Sequence, residues 1–237
     1  MSQTQPIGII VAMPKESDTL RAALQHATAQ TISGITFYSG VLEGQAVVLA
    51  TAGVGKVAAA VCAEIMILTY HPRLILNSGV AGTLTPDLSI EQLAVADRVV
   101  QYDMDTSAVG DPVGMISGIN RIYFPCDATV VSRLMQAAET CGMVAKTGTI
   151  ATGDRFVADS ETKAHIVSLF DAIAVEMEAG AIGHVCFLND TPFGITRAIS
   201  DGADEESTMD YPTFARRAAE RSAQLICTFL RAEVGAI

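Results

Sequence analysis

The sequence predicts an α/β fold: a central mixed sheet wrapped by helices in three layers, as one domain over residues 1–237. Three observations predict it. Short apolar runs bounded by turn residues alternate with segments of helical spacing along the chain. No repeat, low-complexity segment or linker interrupts that alternation. Half the residues are apolar and only 17% are charged, which supplies a large core and excludes the disordered class.

Ile7–Ala12 is a continuous apolar run followed by turn residues, as expected of a strand buried on both faces. From Glu16 to Ala27, Leu20, Ala23 and Leu24 recur at helical spacing. Ile35–Leu42 and Ala46–Thr51 flank Glu43-Gly44-Gln45, which predicts a hairpin. Gly53-Val54-Gly55 turns into a helix over Val57–Tyr70 that Pro72 stops. Leu74–Asn77 and Val95–Gln101 are further strands. Asp103 to Tyr123 is irregular and rich in Gly, Asp and Pro, the composition of a functional loop or flap. Beyond it, Gly148–Thr152, Ala172–Val175 and Phe193–Ile199 are strands, and Val130–Cys141, Thr162–Phe170, Met177–Leu188 and Pro212–Val234 are helices.

The 15 basic and 26 acidic residues leave a net charge of −11, which argues against a nucleic-acid or anionic-membrane partner because phosphates are repelled. Five cysteines at wide spacing form no CxxC pair, and the four histidines are scattered. A disulfide framework and a zinc site are therefore not expected, and a reducing cytoplasm is. Met1–Pro6 has no basic residue, and the apolar run from Ile7 to Met13 is too short for a signal core. The apolar stretch Val57–Thr69 carries Glu64 and is too short to span a bilayer.

Gly53-Val54-Gly55-Lys56-Val57-Ala58 matches GxGxxA between a strand and a helix. A dinucleotide site also needs an acid at the end of the next strand, and that strand ends Asn77-Ser78-Gly79. A Walker loop fails as well, since Ala50 and Val57 stand where Gly and Ser or Thr are required. What remains is a tight turn with backbone donors.

A stronger signal is the set of residues that follow the buried strands. They are Met13-Pro14-Lys15-Glu16, Ser78-Gly79-Val80-Ala81-Gly82, Gly153-Asp154-Arg155-Phe156-Val157, Glu176-Met177-Glu178 and Ser200-Asp201. If the strands run parallel, these clusters share one sheet edge, where open α/β sheets bind ligands. In an extended strand Arg197 and Asp201 share a face. Glu176 and Glu178 diverge once a helix begins, so one of them is expected to reach the site. Each residue has a structural alternative: Asp201 as a helix cap, Glu16 as a first-turn acid, Arg197 as a paired cation, Met177 and Phe156 as core.

These segments, with Ile7–Met13, Gly53–Ala59, Val175–Ala179 and Arg197–Asp201, resemble the 5′-methylthioadenosine/S-adenosylhomocysteine nucleosidases of the purine nucleoside phosphorylase superfamily, in order along nearly the whole chain. The resemblance implies a three-layer phosphorylase/hydrolase-like domain that hydrolyses an N-glycosidic bond to release adenine and a 5-thio-substituted ribose. It implies that Asp201 protonates N7, that Glu178 holds the ribose hydroxyls and the oxocarbenium-like sugar, and that Glu16 readies the water. Arg197 would hold that water or the carboxylates, helped by Ser78. Met177 would pack on the sugar, with Met13, Ala81, Gly82 and Glu176 beside the ligand. Phe156 would stack on the base, Val157 would read its edge by its backbone, and Ser200 would support Asp201. No metal or organic cofactor is implied. A homodimer is, and Val57–Tyr70 is a candidate surface for it. Residues 102–115 depart most from the family pattern, and Pro14 and Lys15 stand where acidic residues are common.

Three other functions fit less well. A phosphorylase of the same superfamily needs arginines to clamp phosphate, and Glu16 stands in the first turn instead. For a related nucleosidase, of the futalosine hydrolase or AMP nucleosidase kind, the acidic composition argues against a phosphorylated substrate. A non-catalytic nucleoside-binding protein would not need Glu16, Glu178 and Asp201 together.

Overall fold

Alternation along the strands decides where each side chain goes. The computed structural model describes residues 5–233. In β1 (Ile7–Val11), Ile7 and Ile9 pack with Leu134, Ile226 and Phe229, while Ile10 packs with Ala59, Cys62 and Met66. The helices bearing those partners therefore lie on opposite faces of the sheet. They are α3 (Ala128–Thr140) and α6 (Ser207–Glu233) on one side and α2 (Lys56–Tyr70) on the other. α1 (Pro14–Ala23) joins α6, and α5 (Ala179–Leu188) joins α2.

All the strands belong to one sheet. β5 (Leu74–Thr83), β6 (Leu93–Gln101), β8 (Ala145–Thr152), β9 (Ala172–Glu176) and β10 (Phe193–Asp201) close into a ring, because β10 pairs with both β6 and β5. β7 (Tyr123–Pro125) adds to β6. From β5 the sheet continues as a wing through β1, β4 (Gln45–Thr51), β3 (Ile35–Leu42) and β2 (Gln25–Ile32). The sheet is mixed, as expected, but the site-bearing strands do not all run parallel. β1, β5 and β10 share one direction; β8 and β9 share another. Their C-terminal ends still converge. β5 and β9 cross antiparallel through their last residues, with Gly82 opposite Val175 and Thr83 opposite Ala174. Ring closure, rather than a common direction, brings the clusters together.

Several boundaries differ from expectation. α1 ends at Ala23, and the residues predicted to continue it begin β2, an edge strand exposed along nearly its whole length. Nothing on β2 is buried, so it has no apolar alternation to read. β5 runs on to Thr83 and β10 to Asp201, so Ser78–Gly82 and Ser200-Asp201 lie within strands rather than after them. α5 starts at Ala179, past the predicted Met177. α6 starts at Ser207 with Pro212 inside it; its predicted end, Val234, lies outside the described residues. α4 (Ser160–Phe170) agrees closely with expectation. Residues 103–122 are irregular apart from a 3₁₀ turn at Ser107–Val109 and an isolated bridge between Ile116 and Arg121. Among the described residues no helix is long and apolar enough to cross a membrane.

Candidate active site

Where the ends of β1, β5, β9 and β10 meet, the start of α6 roofs a cavity of about 380 Å³. Glu16, Glu176, Glu178 and Asp201 all border it, together with Met13, Ala81, Gly82, Phe156, Met177 and Ser200. Val157 borders a small recess of about 30 Å³ that shares Gly82, Phe156, Met177 and Asp201 with the main cavity.

Glu16 stands in the first turn of α1, where its carboxylate folds back on the chain. Oε2 accepts from the backbone N–H of Ala12 (2.9 Å) and Met13 (2.8 Å), and Oε1 from that of Val80 (3.3 Å). Burial lifts its carboxyl above the ordinary range, and these N–H donors and the Arg197 charge oppose the rise without cancelling it.

Asp201 ends β10 beyond a register shift that separates it from Ile199. This bulge breaks the alternation that was expected to put Arg197 and Asp201 on one face, so Asp201 borders the cavity and Arg197 does not. Its Oδ1 accepts from Ala203 N (3.0 Å) and its Oδ2 from Ser200 Oγ (2.8 Å). Burial again lifts the carboxyl, against the pull of those donors.

Both Glu176 and Glu178 border the cavity, not one of them. The chain stays non-helical through Met177 and Glu178, which caps α5 at φ −132 and ψ −41, so the two side chains do not diverge. Their commitments differ. The Glu176 carboxylate accepts from Thr152 Oγ1, from Arg197 Nη2 and from the N–H groups of Glu178 (2.9 Å) and Ala179 (2.8 Å). Glu178 accepts from Gly55 N (2.9 Å) and lies 3.8 Å from Arg197 Nη2. Desolvation, and after it the neighbouring Glu176 charge, pushes the Glu178 carboxyl up to about 7. The Gly53–Gly55 turn thus offers its N–H to a carboxylate of the site.

Arg197 is 1% exposed and lies behind the carboxylates. It donates to Asn77 Oδ1 (2.6 Å), to the Thr196 carbonyl (3.0 Å) and to Glu176. Its buried Nε has no partner among the described residues. Ser78 does not border the cavity; its hydroxyl pairs with Ser222 Oγ of α6 at 2.6 Å. β5 continues through Ser78, and alternation turns this side chain toward α6.

At the rim, Phe156 and Tyr211 meet edge to face with ring centres 5.5 Å apart. Tyr211 donates to Met13 Sδ at 3.2 Å. Tyr211, Thr208 and Pro212 were not foreseen, because nothing in the local sequence says that the start of α6 lies over the cavity. Val54 also borders it, carried by the glycine turn.

Residues 6–231 match the model of the phosphorylase superfamily. A 5′-methylthioadenosine/S-adenosylhomocysteine nucleosidase from Marinomonas sp. (strain MWYL1) is 36% identical over 227 residues, covering 95% of this chain and 98% of its own. Among solved structures, the nucleosidase of the same name from Neisseria meningitidis, in complex with methylthio-immucillin-A, aligns with a TM-score of 0.93 at 33% identity, covering 97% of this chain and 100% of that one. Futalosine hydrolase of Helicobacter pylori strain 26695 aligns with a TM-score of 0.93 at 34% identity, covering 98% and 100%.

Proposed function

Because the chain belongs to the phosphorylase superfamily, we propose that it hydrolyses the N-glycosidic bond of 5′-methylthioadenosine and S-adenosylhomocysteine to adenine and a 5-thio-substituted ribose. One observation carries this reading: Glu16, Glu178 and Asp201, distant in sequence, border one nucleoside-sized cavity, each with its carboxyl lifted by burial.

Adenine leaves only when a ring nitrogen gains a proton. Burial lifts the Asp201 carboxyl, which suits it to carry a proton and give it to N7, an effect worth ~10²–10⁴ in rate. Ser200 and Ala203 keep that carboxyl aimed. Phe156 stacks on the base, and the Val157 backbone reads its edge. As the glycosidic bond breaks, positive charge develops on the ribose. Glu178, fixed by the Gly55 N–H, faces that charge and accepts from the ribose hydroxyls, while Met177 packs on the sugar. Glu176 is spent on Arg197 and the α5 N-terminus, so its task is to hold Arg197 and Glu178 in place.

The attacking water meets Glu16 inside the cavity, which Glu16 borders and Arg197 does not. Glu16 Oε2 is held by two N–H groups and Oε1 by one longer contact from Val80 N (3.3 Å), which makes Oε1 the oxygen freer to take the proton. A Cβ on Gly79 would stand 3.0 Å from Glu16 Oε1 and 3.5 Å from Arg197 Cζ, so a glycine there leaves the space clear. Phosphate fits poorly, because four carboxylates border the cavity and Arg197 is committed to Asn77 and Glu176.

We also infer a homodimer through α2, on which Val57, Val61 and Leu68 are exposed apolar residues beside Val54 of the site. Its measure is the particle mass in solution: a monomer at micromolar concentration removes this inference. The five free cysteines suit a reducing cytoplasm.

Adenine release from 5′-methylthioadenosine in phosphate-free buffer tests the reaction. Release at full rate supports hydrolysis. Strict dependence on phosphate assigns a phosphorylase, and no release from any purine nucleoside assigns a binding protein.

A further inference from the structure

The four lysines differ in what holds them. Lys56 pairs with Asp103, Lys146 with Asp87, and Lys163 donates to the Gly202 carbonyl. Lys15 meets no carboxylate or carbonyl among the described residues. Its amine donates to Tyr211 Oη at 2.9 Å and stands 4.4 Å from the centre of that ring. In a chain of net charge −11, a cation left without an acid is out of keeping with its surroundings.

Helix stability does not account for it. Met13 caps α1, Pro14 opens it and Lys15 follows, a position where the helix dipole favours an acid and disfavours an ammonium. The amine is nevertheless tethered. Tyr211 fixes it by hydroxyl and ring, and Tyr211 itself is fixed by Met13 Sδ and by Phe156. Met13, Phe156 and Tyr211 all border the cavity, so the ammonium, held by Tyr211, stands next to residues of its rim with donors to spare.

A nucleoside seated by Asp201 and Val157 at the base and by Glu178 at the ribose leaves its 5′ substituent to the side bounded by Met13, Val54 and Tyr211. We propose that Lys15, held by Tyr211, reads that substituent and makes the site prefer adenosine 5′-thioethers whose tail ends in a carboxylate over those with a neutral tail. S-adenosylhomocysteine carries such a carboxylate and 5′-methylthioadenosine does not. The proposal rests on the nucleosidase reading above and deepens it.

The test compares two nucleosides of equal length, 5′-S-(3-carboxypropyl)-5′-thioadenosine and its carboxamide, by adenine release. With wild-type protein at low salt, kcat/KM for the carboxylate exceeds that for the amide by about fivefold, the size of a half-exposed ion pair. The ratio shrinks as salt is added. Lys15→Met brings it to about one, Lys15→Arg retains it and Lys15→Glu inverts it. A wild-type ratio near one, or a preference that survives Lys15→Met, overturns the proposal while leaving hydrolysis standing. Adenine release from neither compound overturns the nucleosidase reading and this proposal with it.

Discussion

Asp201 Oδ1 stands 2.7 Å from the place where a Cβ on Gly82 would be, with Ala203 Cβ at 2.9 Å from it. The strand bearing Gly82 and the acid at the end of its neighbour therefore approach as closely as they do only because one of them has no side chain. Gly82→Ala pushes the Asp201 carboxylate off its Ala203 and Ser200 donors. Turnover is expected to fall by about tenfold to a hundredfold and stability by about 1–3 kcal/mol, read from kcat and a thermal melt.

Asp201→Asn and Glu16→Gln each keep their shape and lose their proton chemistry. Each is expected to lower kcat by about 10²–10⁴ while the circular dichroism melt stays within a few degrees of wild type. Near-normal turnover in either variant removes that residue from its role.

Glu178 couples pH to stability. Burial raises its carboxyl from the ordinary 4.5 to about 7, so between those values the folded protein holds a proton that the unfolded chain has lost. That stabilisation is full below the unfolded value and is lost as pH rises through about 7. Glu178→Gln has no proton to lose, and its amide oxygen can still accept from Gly55. The variant is expected to match wild type near pH 5 and to exceed it near pH 8 by about 1–3 kcal/mol in denaturant unfolding. In wild type, kcat measured against pH is expected to decline as Glu178 takes up its proton below about pH 7.

The Gly53–Gly55 turn is locked from outside. Lys56 N donates to Asp154 Oδ1 (2.8 Å), Asp154 N donates to Asp103 Oδ2 (2.9 Å), and Asp103 pairs with the Lys56 ammonium at 2.6 Å. This triangle ties the turn that holds Glu178 to the segment that carries Phe156 and Val157. Asp154→Ala loosens both. KM is expected to rise by about tenfold. The low-pH limb of kcat is expected to move to higher pH, because the Gly55 N–H that holds the Glu178 carboxyl down is lost. A purely structural defect lowers the melt and leaves that limb in place.

Ser78 separates the site from its support. Its hydroxyl faces Ser222, which also donates to the Gly79 carbonyl at 3.3 Å. Ser78→Ala is expected to cost about 1 kcal/mol in denaturant unfolding and to leave kcat within about threefold of wild type.

Much of this site was legible because charge is scarce. In a chain with 17% charged residues, acids beside apolar strands such as Ala172–Val175 stand out, and Glu16, Asp201 and the Glu176/Glu178 pair are legible that way, whereas the choice of Glu178 within the pair rests on the family resemblance. In the ring, β5 and β9 read clearly for the same reason, since Leu74–Leu76 and Ala172–Val175 are unbroken apolar runs. What did not read was whatever the ring itself decides. The antiparallel crossing of β5 and β9 and the bulge at Ser200 are tertiary events with no local signature. Tyr211 reaches the cavity because α6 folds back over it, and the exposed β2 carries no apolar pattern at all.

Hydrolysis of 5′-methylthioadenosine in ¹⁸O-water that also contains phosphate puts the matter to the products directly. Water readied by Glu16 gives a pentose with one ¹⁸O at its anomeric carbon, no pentose 1-phosphate, and loss of the labelled product in Glu16→Gln. Accumulation of an unlabelled pentose 1-phosphate contradicts it, because phosphate would then be the group that attacks.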